Sequence, residues 1–167
     1  MSDYIAVSPD YRGSTIVGAL TSTVGLLGLP ESLFQQTHTA KFIQTFRKRS
    51  AAAFVPTTTI YSAIDEIVQP QSGAGASGLL LEDPQRPGAE VTNVELQTVC
   101  PLDSPASLLS DHISPLFGGA LSALIKDALT HDGPAVISRI PNWVGECSKI
   151  AADGLSLADI VATVCKF

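Results

Sequence analysis

The chain has 167 residues, of which 45% are hydrophobic and 16% charged, a composition typical of a folded domain rather than a disordered segment. We expect residues 1–167 to form a single domain, because two domains of ordinary size need a longer chain. Ten basic and 16 acidic residues give a net charge of 10 − 16 = −6, which argues against nucleic acid as a partner. No segment approaches the roughly 20 consecutive apolar residues that span a bilayer, and the N-terminus lacks the pattern of a secretory signal.

The first part of the chain predicts a strand followed by helices. Residues 4–8 form a short apolar run closed by a turn, which is typical of a buried strand. The glycine-containing stretch 14–29 predicts a loosely specified helix or loop. Residues 31–49 have a helical pattern, broken near 37–39, and we interpret the basic segment 47–49 as a solvated helix end in preference to a binding patch.

The second part predicts two further strands and two helices. Residues 54–62 are rich in β-branched and aromatic side chains and are the best strand candidate in the chain. Further along, the pattern predicts a loop over 71–90, a strand over 91–99, a loop or single turn over 101–111, a helix capped by Ser114 and begun by Pro115, and a last helix from about 156. This alternation of strands and helices predicts α/β architecture with parallel strands and flanking helices.

A glycine-rich motif at residues 73–78 matches G-x-G-x-x-G, the dinucleotide-binding fingerprint. That function needs a strand before the motif and a helix after it, so that a helix N-terminus meets the pyrophosphate. Here Pro70 precedes the motif, and Pro84 and Pro87 follow it. We therefore interpret the segment as a surface loop.

Two residues are candidates for acid–base chemistry. Asp65 follows the best predicted strand and His112 lies in the loop after the next strand, and ligands collect at the carboxyl edge of such sheets. An aspartate can fix the tautomer of an imidazole that then acts as general base for a serine hydroxyl. Taken alone, Asp65 would be interpreted as a turn former. Asp111 is a poorer partner for His112, because adjacent side chains point apart.

The third member of a Ser-Asp-His triad is not found. In α/β-hydrolases the serine precedes the acid and the histidine, on a G-x-S-x-G type elbow, and no such sequence lies between Met1 and Asp65. The other two histidines, His38 and His131, have no obvious acid partner and are interpreted as surface residues.

The three cysteines, Cys100, Cys147 and Cys165, form no CxxC pair, which argues against a zinc site. Their spacing leaves two alternatives open: one disulfide with one remaining thiol, or three reduced cysteines. We expect neither a metal ion nor another cofactor.

Residues 55–71 read Val-Pro-Thr-Thr-Thr-Ile-Tyr-Ser-Ala-Ile-Asp-Glu-Ile-Val-Gln-Pro-Gln. This segment resembles the acid-bearing segment of the fungal lipase B family, and it is the strongest of several such resemblances. The segment 8–14 resembles the stretch shortly after the nucleophile strand. Phe34-Gln35-Gln36-Thr37 is similar to a Trp-Gln-Gln-Thr stretch of the family, and Ser110-Asp111-His112 to its histidine segment.

This resemblance implies an α/β-hydrolase fold, of which the chain is a partial, C-terminal version, and a Ser-His-Asp mechanism that hydrolyses carboxylic esters, including triacylglycerol lipids. It implies Asp65 and His112 as catalytic residues and an extracellular location. It further implies Asp10 and Gln36 as acyl-pocket residues, Ile67 and Ile113 as apolar walls beside the triad, and a disulfide between Cys100 and Cys147. The segments 14–40 and 157–164 correspond to the two sides of the family's pocket mouth.

In the family, the serine elbow and the oxyanion-hole loop lie upstream of the equivalent of Ser8. We therefore expect an N-terminal half to be missing from this sequence, and the isolated chain to have negligible esterase activity. Three hypotheses remain: a lipase of which this is a part, a non-catalytic lipid-binding or partner-binding remnant of the fold, or a half-enzyme that a second polypeptide complements.

Overall fold

The computed structural model describes residues 3–23, 30–49 and 52–164. Within them, three parallel strands form one sheet in the order β1-β2-β3, with β1 at Tyr4–Val7, β2 at Thr57–Tyr61 and β3 at Val91–Glu95. The parallel sheet with flanking helices confirms the predicted α/β class. All three carboxyl ends lie at one edge of the sheet, which brings the loops after β2 and β3 together.

The central strand β2 is buried along its whole length although three of its five residues are threonines. Each buried hydroxyl has a partner: Thr57 donates to the carbonyl of Val55, Thr58 accepts from the backbone N–H of Ala135, and Thr59 donates to the side-chain oxygen of Asn93. Because buried polar groups are costly when unpaired, these bonds allow a threonine-rich strand to occupy the centre of the sheet.

The helices agree with most of the predicted pattern. The described helices are α1 (Thr15–Thr23), α2 (Glu31–Gln35), α3 (Lys41–Arg49), α4 (Leu96–Val99), α5 (Pro105–Leu108), α6 (Gly119–Thr130), α7 (Trp143–Cys147) and α8 (Leu157–Val164). The predicted break near 37–39 separates α2 from α3. The last helix begins where predicted, near residue 156, and the structure shows that Ser156 caps it: its hydroxyl accepts from the N–H of Asp159, while the Asp159 carboxylate accepts from the N–H of Ser156.

Two predicted boundaries are wrong. The strand over 91–99 ends at Glu95, and residues 96–99 form a helical turn that presents Gln97 to the loop after β2 and to Ser107 in α5. The helix expected to start at Ser114 starts at Gly119, after a 3-10 turn at Ser114–Leu116. A Cβ at Gly119 would lie 2.7 Å from the carbonyl oxygen of Glu146, so close packing against the end of α7 determines where α6 begins.

The core lies between the sheet and α6. Its buried members include Ile60 and Val94 from the strands and Leu121, Leu124 and Ala128 from α6. The buried Cys100 and Cys147 form a disulfide that joins the end of α4 to α7, with their Cα atoms 5.7 Å apart. This is the pairing implied by the resemblance. Cys165 lies outside the described residues.

Candidate active site

Asp65 lies in the turn that follows β2, and its side chain is completely buried. One carboxylate oxygen, Oδ1, accepts hydrogen bonds from the backbone N–H groups of Ile67 and Val68, at 2.8 and 2.7 Å. The side-chain amide of Gln69 donates to the backbone carbonyl of Asp65 at 2.6 Å and closes the turn. This turn holds Asp65 in one orientation and leaves its second oxygen, Oδ2, free to contact another element.

That second oxygen contacts His112. The distance from Nδ1 of His112 to Oδ2 of Asp65 is 2.7 Å, and the two residues are 47 positions apart in the chain. Since a carboxylate can only accept, Nδ1 carries the proton and Nε2 is the ring nitrogen left available as a base. The imidazole side chain is 27% exposed, so it can be reached from outside while its acid partner cannot.

The pKa of His112 is raised above its ordinary value of 6.5. The main cause is the hydrogen bond to Asp65, which burial of the ring opposes, and the charges of Asp65, Glu66 and Asp111 add to the increase. The carboxylate therefore stabilises the protonated imidazole, which is what a general base needs after it has taken a proton.

The backbone of His112 is held from two other elements. The hydroxyl of Ser8, at the end of β1, donates to the carbonyl oxygen of His112 at 2.8 Å. The carboxylate of Glu66 accepts from the backbone N–H of His112 at 3.0 Å. Ser8 is buried and has a left-handed backbone with φ of 45°, which is uncommon for a residue other than glycine.

Asp10 lies close enough to the pair for the charges of Asp65 and His112 to act on its own carboxyl group. Burial is the main cause that raises the pKa of Asp10, and the Asp65 carboxylate acts in the same direction, against a lowering hydrogen bond from Ser77. The Ser77 hydroxyl donates to Oδ1 of Asp10 at 2.8 Å, while Oδ2 is buried with no partner among the described residues. Its assignment to an acyl pocket stays a prediction.

The other three predicted pocket residues lie around the same region. Ser14 links Gln36 to Ile67, because its backbone N–H donates to the carbonyl of Gln36 and its hydroxyl donates to the carbonyl of Ile67. The Gln36 side chain is exposed, and Ile67 is 38% exposed beside Asp65. Ile113 is half-buried directly after His112. The structure brings these residues to one end of the sheet, and their contact with an acyl chain stays a prediction.

Several residues that hold the pair together were missed by the sequence reasoning: Ser8, Ser14, Glu66, Gln69 and Gln97. Gln97 accepts from the N–H of Ala63 and donates to the hydroxyl of Ser62, so it fixes the start of the Asp65 turn. Such contacts between distant segments leave no local pattern. The positions of Glu66 and Gln69 within the family-like segment 55–71, and of Ser8 and Ser14 within the segment 8–14, offered the only signal.

The interpretation of His131 as a histidine without an acid partner is wrong. Its Nδ1 lies 3.2 Å from Oδ1 of Asp127, one helical turn earlier on α6. Asp127 also forms an ion pair with Arg139 and accepts from the N–H of Val136, so this aspartate fastens the segment after α6. His38 lies in the exposed turn between α2 and α3. Asp111 accepts from the N–H groups of Ile113 and Ser114 rather than from an imidazole.

Residues 3–23, 30–49 and 52–164 contain no group of three or more histidine, cysteine or carboxylate side chains placed to hold a metal ion. They also contain no helix with both the length and the apolar character needed to cross a membrane. The glycine motif at 73–78 begins with a 3-10 turn at Gly73–Gly75, within the expected loop.

The chain is similar to two fungal proteins. The first is "Lipase B" of Pseudozyma antarctica, with 40% identity over 68 residues, which are 40% of this chain and 19% of that protein. The second is the crystal structure of Aspergillus fumigatus lipase B, with a TM-score of 0.83 and 37% identity, covering 97% of this chain and 38% of that chain. No model of a known protein family matches the sequence.

A parallel sheet with flanking helices, together with this structural match, defines the class as an α/β-hydrolase type of fold. Within that class the chain is lipase B-like: it is similar to fungal lipases B in both sequence and structure. This confirms the resemblance to the lipase B family. The chain spans less than two fifths of the length of either relative.

Proposed function

We propose that this chain supplies the acid and the base of a serine-type carboxylic ester hydrolase, with Asp65 as the orienting acid and His112 as the general base. The observation that carries the proposal is the 2.7 Å contact between the fully buried Asp65 carboxylate and the partly exposed ring of His112. The similarity to lipases B adds independent support.

In the proposed mechanism, Nε2 of His112 takes the proton of a serine hydroxyl as the serine oxygen attacks the ester carbonyl. The Asp65 carboxylate, bound to Nδ1–H, stabilises the imidazolium that forms. The same Nε2 then donates its proton to the leaving alcohol oxygen, and the acyl group remains on the serine. Water repeats the sequence and releases the carboxylic acid.

The nucleophilic serine and the oxyanion donors are proposed to come from polypeptide outside this sequence. The described residues place no serine hydroxyl within hydrogen-bond distance of Nε2 of His112. The N–H of Tyr4 bonds to Pro56, directly before β2, and the N–H of Ser8 bonds to Ile60 within it, so the backbone groups of Ile5 and Val7 point away from β2 along the open side of β1. A groove of about 480 Å³ follows this edge, lined by β1, by Asp10 and by the aromatic residues Tyr11, Phe42 and Phe46. This edge suits a further strand.

The substrate is proposed to be an ester with an apolar acyl chain, triacylglycerols included. Ile64 and Ile67 on either side of Asp65 are both more than one third exposed, and Ile113 follows His112. Asp10 and Gln36 would supply polar groups to the same pocket. The disulfide between Cys100 and Cys147 supports an oxidising compartment, and we propose that the protein acts outside the cell.

The test is complementation with the part of Aspergillus fumigatus lipase B that the structural match does not cover. The two polypeptides are co-expressed, and hydrolysis of a short nitrophenyl ester is measured. We expect activity that His112→Ala lowers by about 10²–10⁴-fold. The matched control is His131→Ala, which removes another aspartate-paired histidine at the far end of α6 and should leave the rate unchanged.

Two outcomes would contradict the proposal: equal loss in both histidine variants, or normal activity in His112→Ala. A folded complex without activity would instead favour the second candidate, a lipid-binding remnant. The exposed isoleucines beside the pair support that candidate. It predicts that the chain alone binds a fluorescent fatty-acid ester and that Ile67→Asp weakens this binding.

A further inference from the structure

The loop that carries His112 has few ties of its own to the sheet. It lies between α5 and the 3-10 turn at Ser114–Leu116. Two of its side-chain bonds are internal: Asp111 accepts from the N–H of Ser114, and the Ser114 hydroxyl donates to the carbonyl of Leu109 at 2.7 Å. Such bonds shape the loop but do not determine how far the imidazole lies from Asp65.

Two contacts fasten the backbone of His112 to the sheet. Ser8 extends from the end of β1 and binds the carbonyl oxygen, and Glu66 extends from the turn after β2 and binds the N–H. The peptide groups on both sides of the His112 Cα atom are therefore attached to the end of β1 and to the turn that carries Asp65. We propose that Ser8 and Glu66 are positioning residues that hold the His112 backbone at the distance at which its ring contacts Asp65.

The backbone of Ser8 supports this role. Its φ of 45° is unfavourable for serine, and its side chain is buried at the end of β1. Strained conformations persist where the surrounding structure compensates for them, and they concentrate at functional sites. In this conformation the Ser8 hydroxyl contacts His112, while the N–H of Ser8 continues the ladder to the carbonyl of Ile60 at 2.8 Å.

This positioning role rests on the proposed function, in which His112 is the general base. The experiment that tests it measures the titration of the His112 imidazole and does not depend on catalysis. The charged groups that act on His112 are Asp65, Glu66 and Asp111, and Asp10 faces it from the end of β1. If the backbone shifts, the hydrogen bond from Nδ1 to Asp65 weakens, and the imidazole titrates closer to its ordinary value of 6.5.

The experiment follows the imidazole resonances of the full chain by NMR during a pH titration, with His38 and His131 as internal references. Ser8→Ala and Ser8→Gly both remove the hydroxyl, and glycine also accepts the left-handed backbone without strain. We expect both to lower the pKa of His112 and to speed exchange of its Nδ1 proton. Glu66→Gln, which keeps an acceptor but loses the charge, should lower the pKa less than Glu66→Ala.

The matched control is Ser114→Ala, which deletes a hydroxyl-to-carbonyl bond of similar length within the same loop. It should leave the His112 titration unchanged. The inference is overturned if both Ser8 variants titrate as the unsubstituted chain does, or if Ser114→Ala lowers the pKa equally. A lowered pKa with inactive complemented enzyme would uphold the positioning role and contradict only the proposed function.

Discussion

His112 donates from Nδ1 to the Oδ2 atom of Asp65 across 2.7 Å, although 47 positions separate the two residues. Parallel strands explain this proximity, because β2 and β3 are adjacent in the sheet and both run toward the same edge. Asp65 follows β2 directly, whereas α4 and α5 lie between β3 and His112. The order of the strands therefore brings Asp65 and His112 together, and the chemistry of this pair can be tested by substitution.

Replacing Asp65 by asparagine is expected to lower the turnover of a complemented enzyme by about 10⁴-fold, the scale seen when a triad loses its carboxylate. Asparagine keeps the size of the side chain but cannot stabilise an imidazolium. It can also present its N–H₂ to the ring, which would favour the wrong tautomer. Steady-state kinetics measures the loss. A kcat within tenfold of the unsubstituted enzyme would contradict the role of Asp65.

The stability of the chain should depend on pH through His112. Its pKa in the folded state is raised above the 6.5 of the unfolded state, so the folded state binds the proton more tightly. The resulting stabilisation is complete below pH 6.5 and is lost as the pH rises through the folded-state pKa. Urea unfolding of the chain and of His112→Gln over about pH 5–9 isolates this contribution. A difference in the free energy of unfolding between the chain and His112→Gln that widens at high pH would contradict this prediction.

Removing the disulfide should destabilise the chain strongly. Cys100 and Cys147 enclose a loop with a sequence separation of 47, and closing such a loop is worth about 4 kcal/mol in the chain-entropy estimate. The double replacement by alanine avoids any involvement of Cys165. Denaturant unfolding gives the free energy of unfolding, with Cys165→Ala as the control. A loss below about 1 kcal/mol would show that the bridge contributes little.

Gly13 should not tolerate a side chain. Its φ is +79°, and a Cβ atom there would lie 2.5 Å from the Cα atom of His38, in the turn between α2 and α3. Gly88→Ala is a matched control, because Gly88 has a φ of +87° but no atom within 4 Å of the added Cβ. We expect Gly88→Ala to cost about 1–2 kcal/mol for the backbone alone, and Gly13→Ala to cost more. Equal losses in thermal unfolding would contradict this contact.

Local patterns in the sequence were sufficient for the strand at 57–61, the break between α2 and α3, and the start of the last helix near Ser156. These features depend on neighbouring residues: β-branched side chains favour a strand, and a serine oxygen caps the nearest free N–H groups. The order Asp65 then His112, each after a strand, similarly indicated which residues to compare. Residues 55–71 were specific enough to indicate the lipase B family.

Other properties depended on contacts between segments far apart in the chain. Gly119 begins α6 because α7 packs against it, and Gln97 leaves the strand because its amide bonds to the loop after β2 and to helix α5. His131 lies within 3.2 Å of the Asp127 carboxylate because α6 ends one turn after Asp127. The backbone of His112 is bonded by Ser8, at the end of β1, and by Glu66, in the turn after β2. Sequence alone determined which chemical groups are present and roughly where the chain turns. The tertiary structure decided which groups meet, because hydrogen bonds act over about 3 Å and distances of that size are set by packing rather than by local preference.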